Sequence, residues 1–183
     1  MTKPLLQILD ASIFPATLMI AAKFIGLYIT IELFSLDWGI ENAPNNLLSS
    51  RPVLYADDVV LVSTNSDLFL LFVMILGFSF YVAKATFFHD THVDPKLASR
   101  LAVNGLLNLV SSSYEIYRHT TTWLIFTWIT NITIFINVLN DKTEYWVSLL
   151  GIAATLFLTV VLLRDVVFEV RNFRQNIGKD SKV

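Results

Sequence analysis

The sequence predicts an all-α integral membrane protein, a four-transmembrane-helix bundle with a short amphipathic cytoplasmic helix between helices 2 and 3. Three observations carry that prediction. Of 183 residues, 55% are hydrophobic and 15% charged, with a mean hydropathy of +0.61, a poor balance for a water-soluble domain of this length. The apolar residues gather in four blocks of about 19 to 23 residues, each long enough as a helix to cross a hydrocarbon layer roughly 30 Å thick. The basic residues, finally, fall mostly in alternate connections.

The first span is expected at 14–36. A short amphipathic lead-in precedes it, and Trp38 stands where an interfacial aromatic belongs. Lys3 ahead of an apolar stretch has the look of a signal peptide, but Asp10, Pro15 and Lys23 interrupt the stretch and no A-x-A pattern follows, which points to a retained anchor. Residues 37–67 read as a polar extracytoplasmic connection. It holds Asp37, Glu41, Asp57, Asp58 and Asp67 against a single Arg51, and Pro44, Pro52 and Asn45-Asn46 mark irregular backbone.

The second span is expected at 68–89, with Ser66 or Asp67 as the N-cap that accepts from its first free amides. Asp94-Pro95 then opens an interfacial helix over 95–110, whose Leu97, Leu101, Leu106 and Leu109 would lie on the membrane surface. The third span, 121–139, and the fourth, 145–163, are joined by the tight polar loop Asn140-Asp141-Lys142-Thr143-Glu144. Beyond Leu163 a cytoplasmic helical tail over 164–183 alternates Val166, Val167, Val170 and Phe173 with charged residues.

With the N-terminus inside, Lys3, Lys84, Lys96, Arg100, Arg118, Arg164, Arg171, Arg174, Lys179 and Lys182 lie on or near the inner side. Only Arg51 and Lys142 lie outside. Four spans then put both termini in the cytoplasm, with the plasma membrane as the expected location. The net charge of −2 is too near zero, and too evenly mixed, to imply a nucleic-acid partner. The absence of cysteine excludes disulfides, thiolate metal sites and a cysteine nucleophile.

Two groups of residues have the makings of a site. Lys23 falls near the middle of the first span, where an ammonium marks an ion pair, a binding site or a pathway. At similar depth in the third span, Thr120, Thr127, Thr130, Asn131 and Asn137 form one polar stripe within about 120° of the helix circumference. Asn131 or a stripe Thr is the expected partner of Lys23; the alternative is that Lys23 snorkels to the headgroups while Thr and Asn join helices. In the fourth span Gly151, Thr155 and Thr159 repeat at four-residue spacing, which suits close packing.

The second group lies at the cytoplasmic edge. His89 and His92 share a helix face if the helix continues, as do Glu115 and His119, and these four could present three nitrogens and a carboxylate to zinc or iron. Asp90, Asp165 and Glu169 could orient the rings. Interfacial histidine without a metal is the plainer alternative, since no H-E-x-x-H motif is present.

The string Val53-Leu54-Tyr55-Ala56-Asp57-Asp58-Val59-Val60-Leu61 resembles the YADD hairpin of reverse transcriptases over those nine residues only. A two-metal polymerase needs a further carboxylate on a palm sheet and a basic template channel, so the resemblance implies no polymerase here. An EF-hand calcium site and phosphate-binding glycine loops are absent by motif. The functional expectation is a non-enzymatic accessory, interaction or oligomeric membrane subunit whose basic cytoplasmic face meets anionic lipid, a protein partner or a second copy. The competing expectations are a small transporter or channel subunit built on Lys23 and the helix 3 stripe, and a metal-dependent membrane enzyme at the histidine edge.

Overall fold

A computed structural model describes residues 3–41, 51–54, 56–88, 99–100, 102–104 and 113–180. In chain order these form α1 (Lys3–Phe34), β1 (Trp38–Glu41), β2 (Arg51–Leu54), α2 (Ala56–Phe87), α3 (Ser113–Leu139) and α4 (Tyr145–Asp180). Four stretches are long and apolar enough to cross a membrane, namely Leu9–Phe34, Asp58–Phe87, Tyr114–Leu139 and Tyr145–Arg171. The chain is thus a multi-pass helical bundle, as its composition predicts. Most of the proposed interfacial helix over 95–110 lies outside the described residues, although Ser99 and Arg100 are helical and exposed.

α2 and α3 form the centre of the bundle, each packing on all of the other helices, while α1 and α4 flank them with little mutual contact. The main core joins Leu70, Met74, Phe78 and Val82 of α2 to Ala22 of α1, Trp123 of α3 and Leu162 of α4. Gly77 admits the Trp123 indole so closely that a Cβ at this position would overlap the ring. Trp123 also stacks on Tyr81 at 5.8 Å and takes the edge of Phe14 at 6.1 Å. One aromatic cluster therefore ties three helices together.

The connection over 37–67 is not the wholly polar loop that its composition suggests. β1 and β2 pair antiparallel, with Trp38 opposite Leu54 and Glu41 opposite Arg51, and α2 begins at Ala56 rather than at Leu68. Asp58 falls in its first turn, where the free amides of a helix favour negative charge. The polar run that imitated a loop is absorbed by helical bonds: Asn65 donates to the Leu61 carbonyl at 3.0 Å and Ser66 to that of Ser63 at 3.2 Å. Asp67 is consequently an interior helical residue and caps nothing. The acidic pair of the YADD-like string likewise opens a helix instead of forming the tip of a hairpin.

Both α1 and α3 end in a Schellman motif without glycine. Ser35 has φ 50°, and the amides of Leu36 and Ser35 donate back to Ile31 and Glu32 at 3.0 and 3.3 Å. Asp141 has φ 56°, and the amides of Lys142 and Asp141 donate to Asn137 and Val138 at 2.9 and 3.0 Å. The second motif turns the chain sharply enough for Thr143 to fold back onto α2.

The helix ends are not level. Thr143 touches Asp67, and the backbone amide of Glu144 donates to Thr64 Oγ1 at 3.1 Å, so the α3–α4 loop lies beside the third and fourth turns of α2. Gly26 of α1 packs on Ser66 and Phe69. The paired tips of α1 and α2 therefore stand about eight residues, or about 12 Å at the helical rise, beyond the end of the α3–α4 pair.

Candidate functional site

The polar residues buried beside this step form one closed network around Asp67. The Asp67 carboxylate is fully buried. Its Oδ1 accepts from Lys23 Nζ at 2.5 Å, and its Oδ2 accepts from Asn137 Nδ2 at 2.9 Å and from Thr143 Oγ1 at 2.6 Å. Because Thr143 gives its one hydroxyl proton to Asp67, Ser63 must be the donor in the 3.0 Å contact between Ser63 Oγ and Thr143 Oγ1. Residues from α1, α2, α3 and the α3–α4 loop thus meet on a single anion.

This arrangement corrects the expected partner of Lys23. The ammonium neither snorkels alone nor reaches Asn131; it meets a carboxylate that the sequence reading had put at a helix cap. Of the α3 stripe, only Asn137 joins the network. The signal available in the sequence was a single Lys within one apolar block and a single Asp at the head of the next. A charge in lipid requires a partner, and the opposite charge on an adjacent antiparallel span is the first candidate.

The rest of the stripe joins helices. Asn131 Nδ2 donates to Thr155 Oγ1 of α4 at 2.7 Å and to the Thr127 carbonyl at 3.0 Å. Its Oδ1 is buried without a hydrogen-bond partner and lies against Gly151, where a Cβ would strike it. The four-residue repeat in α4 is therefore the seat of Asn131. Thr120, Thr127 and Thr130 are buried and turn their hydroxyls back to the carbonyls of Ile116, Trp123 and Phe126 at 2.8, 2.8 and 3.0 Å. None of these hydroxyls is needed by Lys23.

Comparison of the chain with protein families, with curated proteins and with solved structures gave no match.

At the opposite end, Tyr117 Oη donates to Asp165 Oδ2 at 2.8 Å, which joins α3 to α4. His119 stacks on Tyr81 at 5.6 Å, with its Nε2 3.4 Å from a guanidinium nitrogen of Arg118, while Glu115 is exposed. His89 and His92 lie outside the described residues, as does Asp90. Among the described residues no three His, Asp or Glu side chains gather as metal ligands.

Grooves flank the bundle among the described residues. An apolar groove of about 520 Å³ runs between α1, α2 and α4 past Gly26, Thr30, Leu33, Phe69, Phe72 and Leu150. A second, of about 710 Å³, lies between α3 and α4 at the end that carries Arg118.

Proposed function

We propose that the protein is a non-catalytic membrane subunit that acts by lateral association, presenting the apolar tip of its α1–α2 hairpin to a membrane-embedded helix of a second protein. The observation that carries this reading is the step at the end of the bundle. Tyr28, Ile29, Leu33 and Phe34 are exposed on the part of α1 that rises beyond the α3–α4 loop. That loop exposes Asn140, Asp141, Lys142 and Glu144, which belong in water. A bilayer surface level with the loop leaves the α1 tip uncovered, whereas a partner helix seated beside it buries the apolar side chains. The excess of basic residues in alternate connections supports an orientation with both termini in the cytoplasm and the hairpin tip on the far side of the membrane.

The Asp67 network supports the same reading. Its carboxylate oxygens are occupied by three donors from within the bundle, which suits a structural clamp better than an ion path. The adjacent groove is apolar, as lipid or a helix would require, and offers little to a hydrated ion.

A photoreactive residue at Leu33, with Ile132 on the exposed face of α3 as control, tests the proposal in native membranes. The expected result is one discrete protein adduct from Leu33 and none from Ile132. Lipid adducts alone at both positions would overturn docking and favour a tilted bundle, and an adduct of twice the chain mass would make the partner a second copy. Ion flux in proteoliposomes that disappears with Lys23→Leu would replace the reading by transport.

A further inference from the structure

We infer that the outer face of α4, where the helix leaves the membrane at the end opposite the hairpin tip, binds the phosphate of one anionic phospholipid between Arg164 and Arg171. The site does not depend on the role proposed for the tip. Charge, depth and shape support it together.

Charge is divided between two sides of one helix. Asp165 accepts from Tyr117, and Glu169 lines the groove that α4 shares with α3, so the acidic side chains turn toward the bundle. Arg164 and Arg171 are exposed on the other side. Seven residues bring a helix back to within about 20° of the same direction, so the two arginines stand one above the other. Among the described residues neither forms an ion pair, and no carboxylate lines the surface between them. Two guanidinium groups on one line, with no acid between them, suit an oxyanion that accepts from both.

Depth places that oxyanion among headgroups. The exposed α3–α4 loop marks one water boundary, and Tyr145 beside it begins α4. About 30 Å farther along the helix, the thickness of the hydrocarbon layer, comes Asp165 with Arg164 next to it. Arg171 stands about 10 Å beyond. The headgroup layer is roughly 5 to 8 Å deep on each side, so a phosphate midway between the two arginines sits within it.

Shape completes the site. A shallow groove of about 440 Å³ is lined by Val160, Leu163, Arg164, Val167, Phe168 and Arg171. Helical side chains lean toward the N-terminus, which aims Arg171 back toward the membrane, while Arg164 reaches the same level by turning its head out of the lipid. Val167 and Phe168 form the floor between them. Val160 and Leu163, both more than half exposed, lie on the hydrocarbon side of Arg164 and give the first carbons of an acyl chain an apolar wall. A zwitterionic headgroup would bring an ammonium that finds no carboxylate in this groove, whereas an anionic one leaves no charge unmatched. A second copy brought to this face by a twofold axis would set arginine against arginine.

The full-length protein, purified in a mild detergent and analysed by native mass spectrometry, is offered phosphatidylglycerol and phosphatidylcholine of the same chain length. The wild type should retain phosphatidylglycerol over phosphatidylcholine by roughly 25-fold, about fivefold for each arginine. Arg164→Gln and Arg171→Gln should each take away one such factor, and the double change should remove the preference. Val167→Glu keeps both arginines but sets a carboxylate between them, and should remove it as well. Lys84, as far along α2 from Thr64 as Asp165 is from the Glu144 end of α4, stands at a similar depth off the groove, and Lys84→Gln should leave the ratio unchanged. Helix content and tryptophan emission equal to wild type establish that each variant is folded; if an arginine variant fails that control, Val167→Glu carries the test. Equal retention of the two lipids by wild type, an unchanged ratio in Val167→Glu, or an equal fall with Lys84→Gln would overturn the site. Displacement of the lipid by inorganic phosphate would make it a site for free phosphate, and a mass of two chains that disappears with Val167→Glu would make the face a contact between copies; either result overturns the lipid assignment.

Discussion

Lys23 and Asp67 are 44 positions apart in the chain, yet the ammonium of one lies 2.5 Å from the carboxylate of the other. Asp67 is fully buried, while the Lys23 side chain keeps 33% of its surface. The cost of losing the pair therefore falls mainly on the aspartate. Lys23→Leu should destabilise the bundle by about 2 to 3 kcal/mol, below the usual cost of breaking a buried pair because Lys23 is partly exposed. Adding Asp67→Asn should recover much of the loss, since an amide oxygen still accepts from Asn137 and Thr143 without a buried charge. Reversible unfolding in mixed micelles, read as a double-mutant cycle, checks this; simple additivity of the two changes would refute the coupling.

Thr143 links the α3–α4 loop to the same carboxylate. Thr143→Val keeps the shape and removes the hydroxyl, so both Asp67 and Ser63 lose a partner, at a cost of about 1 to 3 kcal/mol. Thr143→Ser should be close to wild type in the same unfolding measurement. A loss in Thr143→Ser with none in Thr143→Val would show that the methyl group matters and the hydroxyl does not.

Asp141 occupies the left-handed region at the end of α3, where a side chain is strained. Asp141→Gly should raise stability by about 0.5 to 1 kcal/mol, and Asp141→Val should lower it, because branching at Cβ makes φ 56° harder to hold. The thermal midpoints of the two variants should therefore move in opposite directions.

Gly77 leaves no room for a methyl group beside Trp123. Gly77→Ala should cost about 1 to 3 kcal/mol through overpacking. It should also change the near-ultraviolet circular dichroism, since Trp123 would lose its stacking on Tyr81. An unaltered aromatic spectrum would mean that the indole does not rest on Gly77.

Because the chain has no cysteine, single Cys substitutions report topology directly. A label at Ser49 should react from outside intact cells, and labels at Ser99 or Ser181 only after permeabilisation. External reaction at Ser99 would reverse the orientation inferred from the basic residues.

The four helices were legible because a membrane span is mainly a matter of composition and length, and the blocks ending at Leu139 and beginning at Tyr145 coincide with the ends of α3 and α4. The first three turns of α2 were not legible. Ser63, Thr64, Asn65, Ser66 and Asp67 are residues of loops when judged locally, and their helical state depends on partners on α1, α3 and the α3–α4 loop. Whereas α2 starts at Ala56, a helix start at Leu68 puts Asp67 at the membrane edge, away from Lys23, and leaves Asn131 as the nearer polar side chain. Its actual partner, Thr155, belonged to a repeat already read as packing. Which residues of two antiparallel helices stand at one height depends on their register, and hydropathy does not encode register.

The ion pair between α1 and α2 also bears on how the chain enters the bilayer. A lone Lys23 or a lone Asp67 opposes partition of its own segment into lipid, and each becomes tolerable only beside the other. α1 should therefore remain near the translocation machinery until α2 emerges, and the two should leave together as a neutralised helical hairpin. Asn137 and Thr143, made later by the ribosome, then fasten the second pair of helices to a carboxylate already inside the membrane. On this view Asp67 sets the order of biogenesis as well as the architecture of its product.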